Sequence, residues 1–216
     1  MLPKASHALT PLLDLRPLAV ANVLPPAFAP LFAQKFTHFN PIQTQMFHCA
    51  FHSDQSMLLG APTGSGKTAA AELAICRLLK EHGGRKVCVY VAPLKALVRE
   101  RIKDWRRRLG ALDVRGVLPG KRPRIKVVEV TGDTSEVMHG AHVIVTTPEK
   151  WDGISRAWRR RGIVRKVGLV IIDEIHLLGS DRGPVLEVLV SRMRCVRAPS
   201  RASLRPSAWS ASSSAS

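Results

Sequence analysis

Met57-Leu-Leu-Gly-Ala-Pro-Thr-Gly-Ser-Gly-Lys-Thr68 is the stretch that decides the fold. Its apolar start, Met57, Leu58 and Leu59, predicts a short buried strand. A glycine-rich turn follows, and then an alanine-rich segment from Ala69 to Leu79 with good helix propensity. Strand, glycine-rich loop, Lys-Thr and helix form the arrangement a polyphosphate cradle requires. Glycines let backbone N–H groups turn inward with no Cβ in the way, and the helix N-terminus adds the positive end of its dipole. In this reading Ala61, Pro62, Thr63, Gly64, Ser65, Gly66, Lys67 and Thr68 wrap the phosphates of a nucleotide. Lys67 reaches the β- and γ-phosphates, and the Thr68 hydroxyl ligates Mg²⁺. One position departs from the G-x-x-x-x-G-K-[ST] pattern: Ala61 stands in the first glycine slot.

A chain of 216 residues suits one domain of ordinary size. Its formal charge of +17 exceeds what solubility asks and points to a polyanionic partner, nucleic acid before a membrane surface. The four cysteines, Cys49, Cys76, Cys88 and Cys195, fall singly, with no C-x-x-C pair and no ligand-spaced histidine. That usage predicts buried thiols in a reducing, intracellular compartment rather than disulfides or zinc. No apolar run approaches the ~18 residues of a membrane span, and the N-terminus lacks the pattern of a secretory signal.

Residues 1–36 are rich in Leu, Pro and Ala and predict a lead-in segment with one or two short helices. Asn40-Pro41 then opens a helix over 41–52, Asn40 as the cap and Pro41 where a missing N–H costs nothing. Lys86–Val91 is a continuous β-prone run, as expected of a strand buried on both faces, and a helix follows over 94–109. Residues 110–124 read as a surface loop. Further strands are expected at 125–130, 143–146 and 169–173, with a helix over 149–160. Strands alternating with helices predict an α/β fold, a mostly parallel sheet flanked by helices, with the site at the strand C-termini. The segment 195–216 has no acids and no apolar periodicity and is expected to be disordered.

Leu169-Val-Ile-Ile-Asp-Glu-Ile-His176 is the second anchor. Four apolar residues set Asp173 and Glu174 at the tip of a buried strand, where an acidic pair can meet a Mg²⁺–phosphate complex. Asp173 would hold the metal through water, and Glu174 would orient or deprotonate the attacking water. Two arginine-rich stretches, Arg99 to Arg108 and Arg159 to Lys166, read as solvated faces more readily than as nucleic-acid contacts.

Gln43, the loop Ala61–Thr68, Ala92-Pro-Leu-Lys-Ala-Leu-Val98, Thr131-Gly-Asp133, Thr147-Pro-Glu-Lys-Trp-Asp152 and Asp173-Glu-Ile-His176 stand in the order used by superfamily 2 helicases. The wording of Phe39–Gln45, Val98–Arg101 and Thr147–Ser155 resembles the Ski-like group, and the likeness covers roughly residues 12–193. It implies a RecA-like P-loop NTPase lobe over 37–194, an ATP-dependent helicase with 3′-to-5′ polarity, and a nuclear or cytoplasmic setting. It implies that Gln43 reads the adenine edge. Pro93, Leu94 and Lys95, Thr131 and Gly132, and Thr147 and Pro148 would contact the backbone of single-stranded DNA or RNA. His176 would couple the nucleotide site to a second lobe; a lone histidine is otherwise an ordinary half-buried side chain. Glu149 and Lys150 stand open between strand contact and helix capping.

Beyond Arg194 the family's Ser-Ala-Thr motif, second lobe and arginine motif are not in the sequence, so a fragment or truncated gene model is the expectation. A multi-subunit complex would then form through regions outside these residues. The rival reading is a non-catalytic module that binds nucleotide or nucleic acid without motor activity.

Overall fold

The computed structural model describes residues 16–62, 64–120, 123–132, 136–175 and 183–197. Among the described residues, eight helices and four strands follow one another as α1 (Val20–Val23), α2 (Ala29–Ala33), α3 (Pro41–His52), α4 (Lys67–His82), β1 (Val87–Val91), α5 (Lys95–Arg108), β2 (Val127–Val130), β3 (Val143–Thr146), α6 (Pro148–Arg156), α7 (Gly162–Arg165), β4 (Val167–Ile172) and α8 (Gly183–Arg197). The strands form one sheet in the order β2-β3-β1-β4, and all three neighbouring pairs run parallel.

The layering follows from the period-2 alternation of side chains along the strands. Cys88 and Tyr90 of β1, with Val143 and Val145 of β3, pack with Leu73 and Leu79 of α4 and Val98 and Trp105 of α5. Val87, Val89 and Val91, with Ile144, face the other way onto Trp151 of α6, Val164 of α7 and Leu189 of α8. Helices on both faces of a parallel sheet leave no wet side, so β1 and β3 are largely apolar, and every residue of each is buried, the polar Thr146 included.

Several expectations change here. Residues 57–59 join none of the strand pairs, and Leu58 is 80% exposed. An apolar run becomes a strand only where a neighbouring edge offers it hydrogen bonds, and no described strand pairs with this one. The lead-in is part of the packed unit: Val20, Leu24, Phe28, Leu31 and Phe32 lie in the same core as α4. The 110–124 loop is not wholly superficial, because Leu112, Val114 and Leu118 plug into that core. α6 ends at Arg156 rather than 160, and α8 runs to Arg197, past the expected start of the tail at 195. Cys195 is exposed and Cys49 half-buried, whereas Cys76 and Cys88 are buried, which pushes both thiols well up. Residues 1–15, Thr63, Asp133, His176 and 198–216 lie outside the described residues.

Arg108 also departs from the solvated-face reading. It is buried, donates to Glu72 at 2.5 and 3.1 Å, and reaches Leu31 O at 2.7 Å and Asp104 Oδ2 at 3.0 Å. Trp105 Nε1 donates to the same Glu72 carboxylate at 3.1 Å. This network joins α2, α4 and α5. The other arginines of the two stretches that face water, Arg99, Arg106, Arg107, Arg159, Arg160 and Arg161 among them, are exposed as expected.

Candidate nucleotide and nucleic-acid site

The register of the sheet builds the site. Val91, Thr146 and Ile172 are level across β1, β3 and β4, and Val130 of β2 is level with Thr146. One residue further along each strand, the ladder is still held by Ala92 N–H to Thr146 O and Asp173 N–H to Val91 O, both at 2.9 Å. The segments that leave the sheet there carry Thr131, Thr147, Pro93 to Lys95, and Asp173. With about 4.8 Å between neighbouring strands, these four exits make a row roughly 14 Å long on the C-terminal edge of the sheet.

At one end of the row stands the acidic pair. Asp173 is half-buried; its Oδ1 accepts from Glu174 N at 3.0 Å, and its Oδ2 accepts from the Tyr90 hydroxyl. Glu174 has φ +48°, the only non-glycine residue with positive φ among those described. A side chain longer than Asn or Asp rarely adopts this left-handed conformation, at a cost of about 1 kcal/mol or more, and such strain concentrates where a carboxylate must be aimed.

The phosphate loop is held from two sides. Gly66 caps α4 at φ +91°, with no side-chain cap for the helix's first N–H groups. Asn40 does double duty. Its Oδ1 accepts from Gln43 N at 2.8 Å as the cap of α3, while its Nδ2 donates to Ser65 O at 3.0 Å and so pins the loop to that helix. Gln43 Oε1 closes the capping box by accepting from Asn40 N at 3.0 Å, and a Cβ on Gly66 would stand 2.2 Å from Gln43 Nε2. Gln43 is therefore a buried wall of the loop, not a surface glutamine. Lys67 Nζ donates to Ala61 O at 2.7 Å. Ala61 itself has no positive φ, so the backbone at the first glycine slot is one that alanine adopts without strain.

Two observations fit a phosphate ligand. The Ser65 hydroxyl is buried with no hydrogen-bond partner among the described residues, and the N-terminus of the 16-residue helix α4 offers uncapped donors beside it. Mg²⁺ fits as well. Thr68 and Asp173 supply the hard oxygens it prefers, and the two bonds that the Asp173 carboxylate accepts leave lone pairs for metal-bound water. Among the described residues no group of three or more His, Cys, Asp or Glu forms an all-protein cage, which suits a cation shared with substrate phosphates.

The other end of the row carries the segments expected to contact a strand's backbone. Leu94 is exposed and precedes Lys95, the first residue of α5. A Cβ built on Gly132 would lie 3.7 Å from Lys95 Nζ, so the Lys95 and Thr131-Gly132 segments adjoin. Thr131 is almost fully buried, Thr147 caps α6 from extended backbone and Pro148 takes its N1 position. Pro93 and Pro148 are buried, as Thr131 and Thr147 are. Glu149 lies in the first turn of α6, where a carboxylate favours the helix dipole. α6 is in turn locked to α8. Arg192 donates to Asp152 Oδ1 at 2.6 Å and to Ser155 Oγ at 2.7 Å, and Arg156 donates to Asp152 Oδ2 at 2.6 Å. Burial alone would raise the Asp152 carboxyl, but these arginines hold it below its ordinary range.

Sequence reading did not find Asn40's grip on the loop or Tyr90's on Asp173. Signals for both were present. An N-capping asparagine has an NH₂ left over, and a phenol inside a buried Val-rich strand must find an acceptor.

The DEAD/DEAH box helicase model matches residues 40–214. The chain is 55% identical over 195 residues to activating signal cointegrator 1 complex subunit 3 of Gallus gallus, covering 89% of this chain and 8% of that one. It is 52% identical over 204 residues to the DExH-box ATP-dependent RNA helicase DExH14 of Arabidopsis thaliana, covering 94% of this chain and 9% of that one. The chain thus spans about a tenth of the length of these curated relatives. Among solved structures it is similar to the Mycobacterium smegmatis helicase Lhr bound to ssDNA and AMP-PNP, with TM-score 0.65 and 29% identity over 82% of this chain and 24% of that one. Mss116p bound to ssRNA and AMP-PNP shares the fold at TM-score 0.65 and 17% identity, over 85% of this chain and 38% of that one. The architecture is that of a RecA-like helicase lobe.

Proposed function

This chain belongs to the DEAD/DEAH box helicase family, and we propose that it is the ATP-binding first lobe of a Ski-like, DEIH-box helicase that tracks single-stranded DNA or RNA. The observation that carries the proposal is the shared sheet edge. The Asp173 end of the row and the Lys95–Thr131–Thr147 end are fixed by the same parallel register.

Each residue's task follows from its chemistry. The loop Ala61–Thr68 and the N-terminus of α4 bind the phosphates, and Lys67 exchanges the Ala61 carbonyl for a phosphate oxygen. Thr68 and Asp173 would hold Mg²⁺, which would supply neutralisation of the charge developing on the phosphates. Glu174 orients the attacking water and accepts its proton. Gln43, carrying donor and acceptor on one amide, reads the adenine edge once its capping bond to Asn40 yields. Lys95, Thr131, Gly132, Thr147 and the start of α6 hold the strand by its phosphates, which positions it without reading sequence. His176, outside the described residues, couples this lobe to a second one.

For the whole protein we propose 3′-to-5′ unwinding driven by ATP, assembly into a multi-subunit complex, and a nuclear or cytoplasmic location. The relatives' printed names, as subunits of a cointegrator complex, support assembly. Anisotropy titrations of single-stranded DNA and RNA across salt concentrations test the strand-binding row. Lys95→Ala is expected to weaken every sequence alike and to reduce the salt slope by about 0.7, one phosphate contact's share. Loss confined to one sequence, or an unchanged slope, would refute it.

A further inference from the structure

Tyr90 is the only tyrosine in the chain. It sits one residue before the end of β1, 3% exposed, on the face that packs against α4 and α5. Its ring meets that of Trp105 edge-on, with centroids 4.8 Å apart at 72°, and the Arg101 guanidinium lies 5.8 Å from the Tyr90 ring centre and 5.5 Å from that of Trp105. The hydroxyl donates to Asp173 Oδ2.

The consequence concerns the carboxylate. A carboxylate at a strand end turns freely about its last torsion, which is broad and two-fold. Asp173 is instead held at three points. Its N–H is bonded to Val91 O at 2.9 Å, its Oδ1 to Glu174 N at 3.0 Å and its Oδ2 to Tyr90. Two of these come from β1. The ring that carries the third is seated against Trp105 of α5, whose indole N–H is bonded to Glu72 of α4. α4 follows the phosphate loop, and α5 begins at Lys95.

We propose that Tyr90 is a positioning residue for the metal-bearing carboxylate, fixing Asp173 Oδ2 and tying its orientation to the helices that follow the phosphate loop and the strand-binding loop. This rests on the ATP-site reading given above. The hydroxyl stabilises one rotamer of Asp173 before metal arrives, so its removal weakens nucleotide binding only when Mg²⁺ is present. Trp105 and Arg101 hold the phenol ring itself in place.

Tyr90→Phe tests this, because it deletes the hydroxyl and keeps the ring packing. ATP affinity is measured on this chain in excess Mg²⁺ and in EDTA, with Asp173→Asn as the reference. The expected result for Tyr90→Phe is a roughly tenfold loss in Mg²⁺, equivalent to about 1.4 kcal/mol, and less than a twofold change in EDTA. An equal loss in both conditions would make Tyr90 merely structural and overturn the proposal, as would no loss in either. The single tyrosine also gives a single resonance with ¹³Cζ-labelled tyrosine. That signal should shift in Asp173→Asn and again when MgATP binds the wild type; a signal that ignores Asp173→Asn would overturn the contact itself. A wild-type chain that bound no ATP would sink the ATP-site reading, and this inference with it. A chain that bound MgATP with Tyr90→Phe unchanged would sink this inference alone.

Discussion

Replacing Arg108 with methionine removes a charge the fold has buried among partners, and the cost follows from what is left behind. The Arg108 side chain is 4% exposed and that of Glu72 2%. Burial opposes both charges. The two bonds to Glu72 and the bond to Asp104 outweigh that penalty for Arg108, and its bond to Asp104 holds that carboxyl below its ordinary range despite burial. Without Arg108, Glu72 keeps only the Trp105 N–H among its described partners. Breaking a buried pair by removing one partner costs about 3–5 kcal/mol. Against a typical total of about 5–15 kcal/mol, that is about a fifth or more of the stability of a domain. Glu72→Leu is expected to cost less, about 2–3 kcal/mol, because Arg108 keeps Asp104 and the Leu31 carbonyl. The double variant Glu72→Leu/Arg108→Met leaves no buried charge, only the Trp105 N–H and the Leu31 carbonyl to be satisfied, so about 1–2 kcal/mol is expected. The pair is thus worth a coupling of about 3 kcal/mol or more. Urea unfolding followed by far-ultraviolet circular dichroism measures all three. Arg108→Met within about 1 kcal/mol of wild type, or a double variant as damaged as the two singles added, would refute the reasoning.

Three further outcomes follow from the same geometry. Gly66→Ala places a Cβ 2.2 Å from Gln43 Nε2 at φ +91°, so it should destabilise by about 1–2 kcal/mol and cut ATP affinity; thermal unfolding and ATP titration check this. Asp152→Asn should loosen α8 from α6 and cost about 2 kcal/mol at neutral pH, read by urea unfolding. The folded Asp152 carboxyl lies below its unfolded value, so its stabilisation is full above about pH 4 and is lost as pH falls through the folded value; the variant should lack that loss. His142 is pushed down first by burial and then by Lys126, and its Nδ1 accepts from Lys126 N at 2.9 Å, a bond open only to the neutral ring. Its contribution is present above about pH 6.5 and falls away as pH drops below that value, and His142→Gln should flatten this part of the pH–stability curve.

Local signals decided how much of the fold could be read in advance. Asn40 as the cap and Pro41 at the first helical position marked the start of α3, and the largely apolar β1 and β3 stood out because a parallel sheet buried on both faces needs such runs. The failure at 57–59 has the opposite origin. Strand identity belongs to a pair of segments, and nothing within Met57-Leu-Leu59 says whether an edge will lie beside it. Arg108 was misread although its place on the Val98, Ile102, Trp105 stripe of α5 marked it as core-facing. The loop at 110–124 had no period from which to foresee the burial of Leu112, Val114 and Leu118. For the site, residue types and spacing singled out the phosphate loop and the acidic pair as candidates. The bonds that aim them, from Asn40 to Ser65 and from Tyr90 to Asp173, join residues 25 and 83 apart and exist only in the folded chain.

The central claim is that residues 61–68 form a working MgATP site, and calorimetric titration of ATP into this chain in excess Mg²⁺ tests it most directly. Saturable one-to-one binding, lost in Lys67→Ala and weakened when EDTA replaces Mg²⁺, is the expected result. No binding by the wild-type chain, or equal binding by wild type and a folded Lys67→Ala, would contradict it.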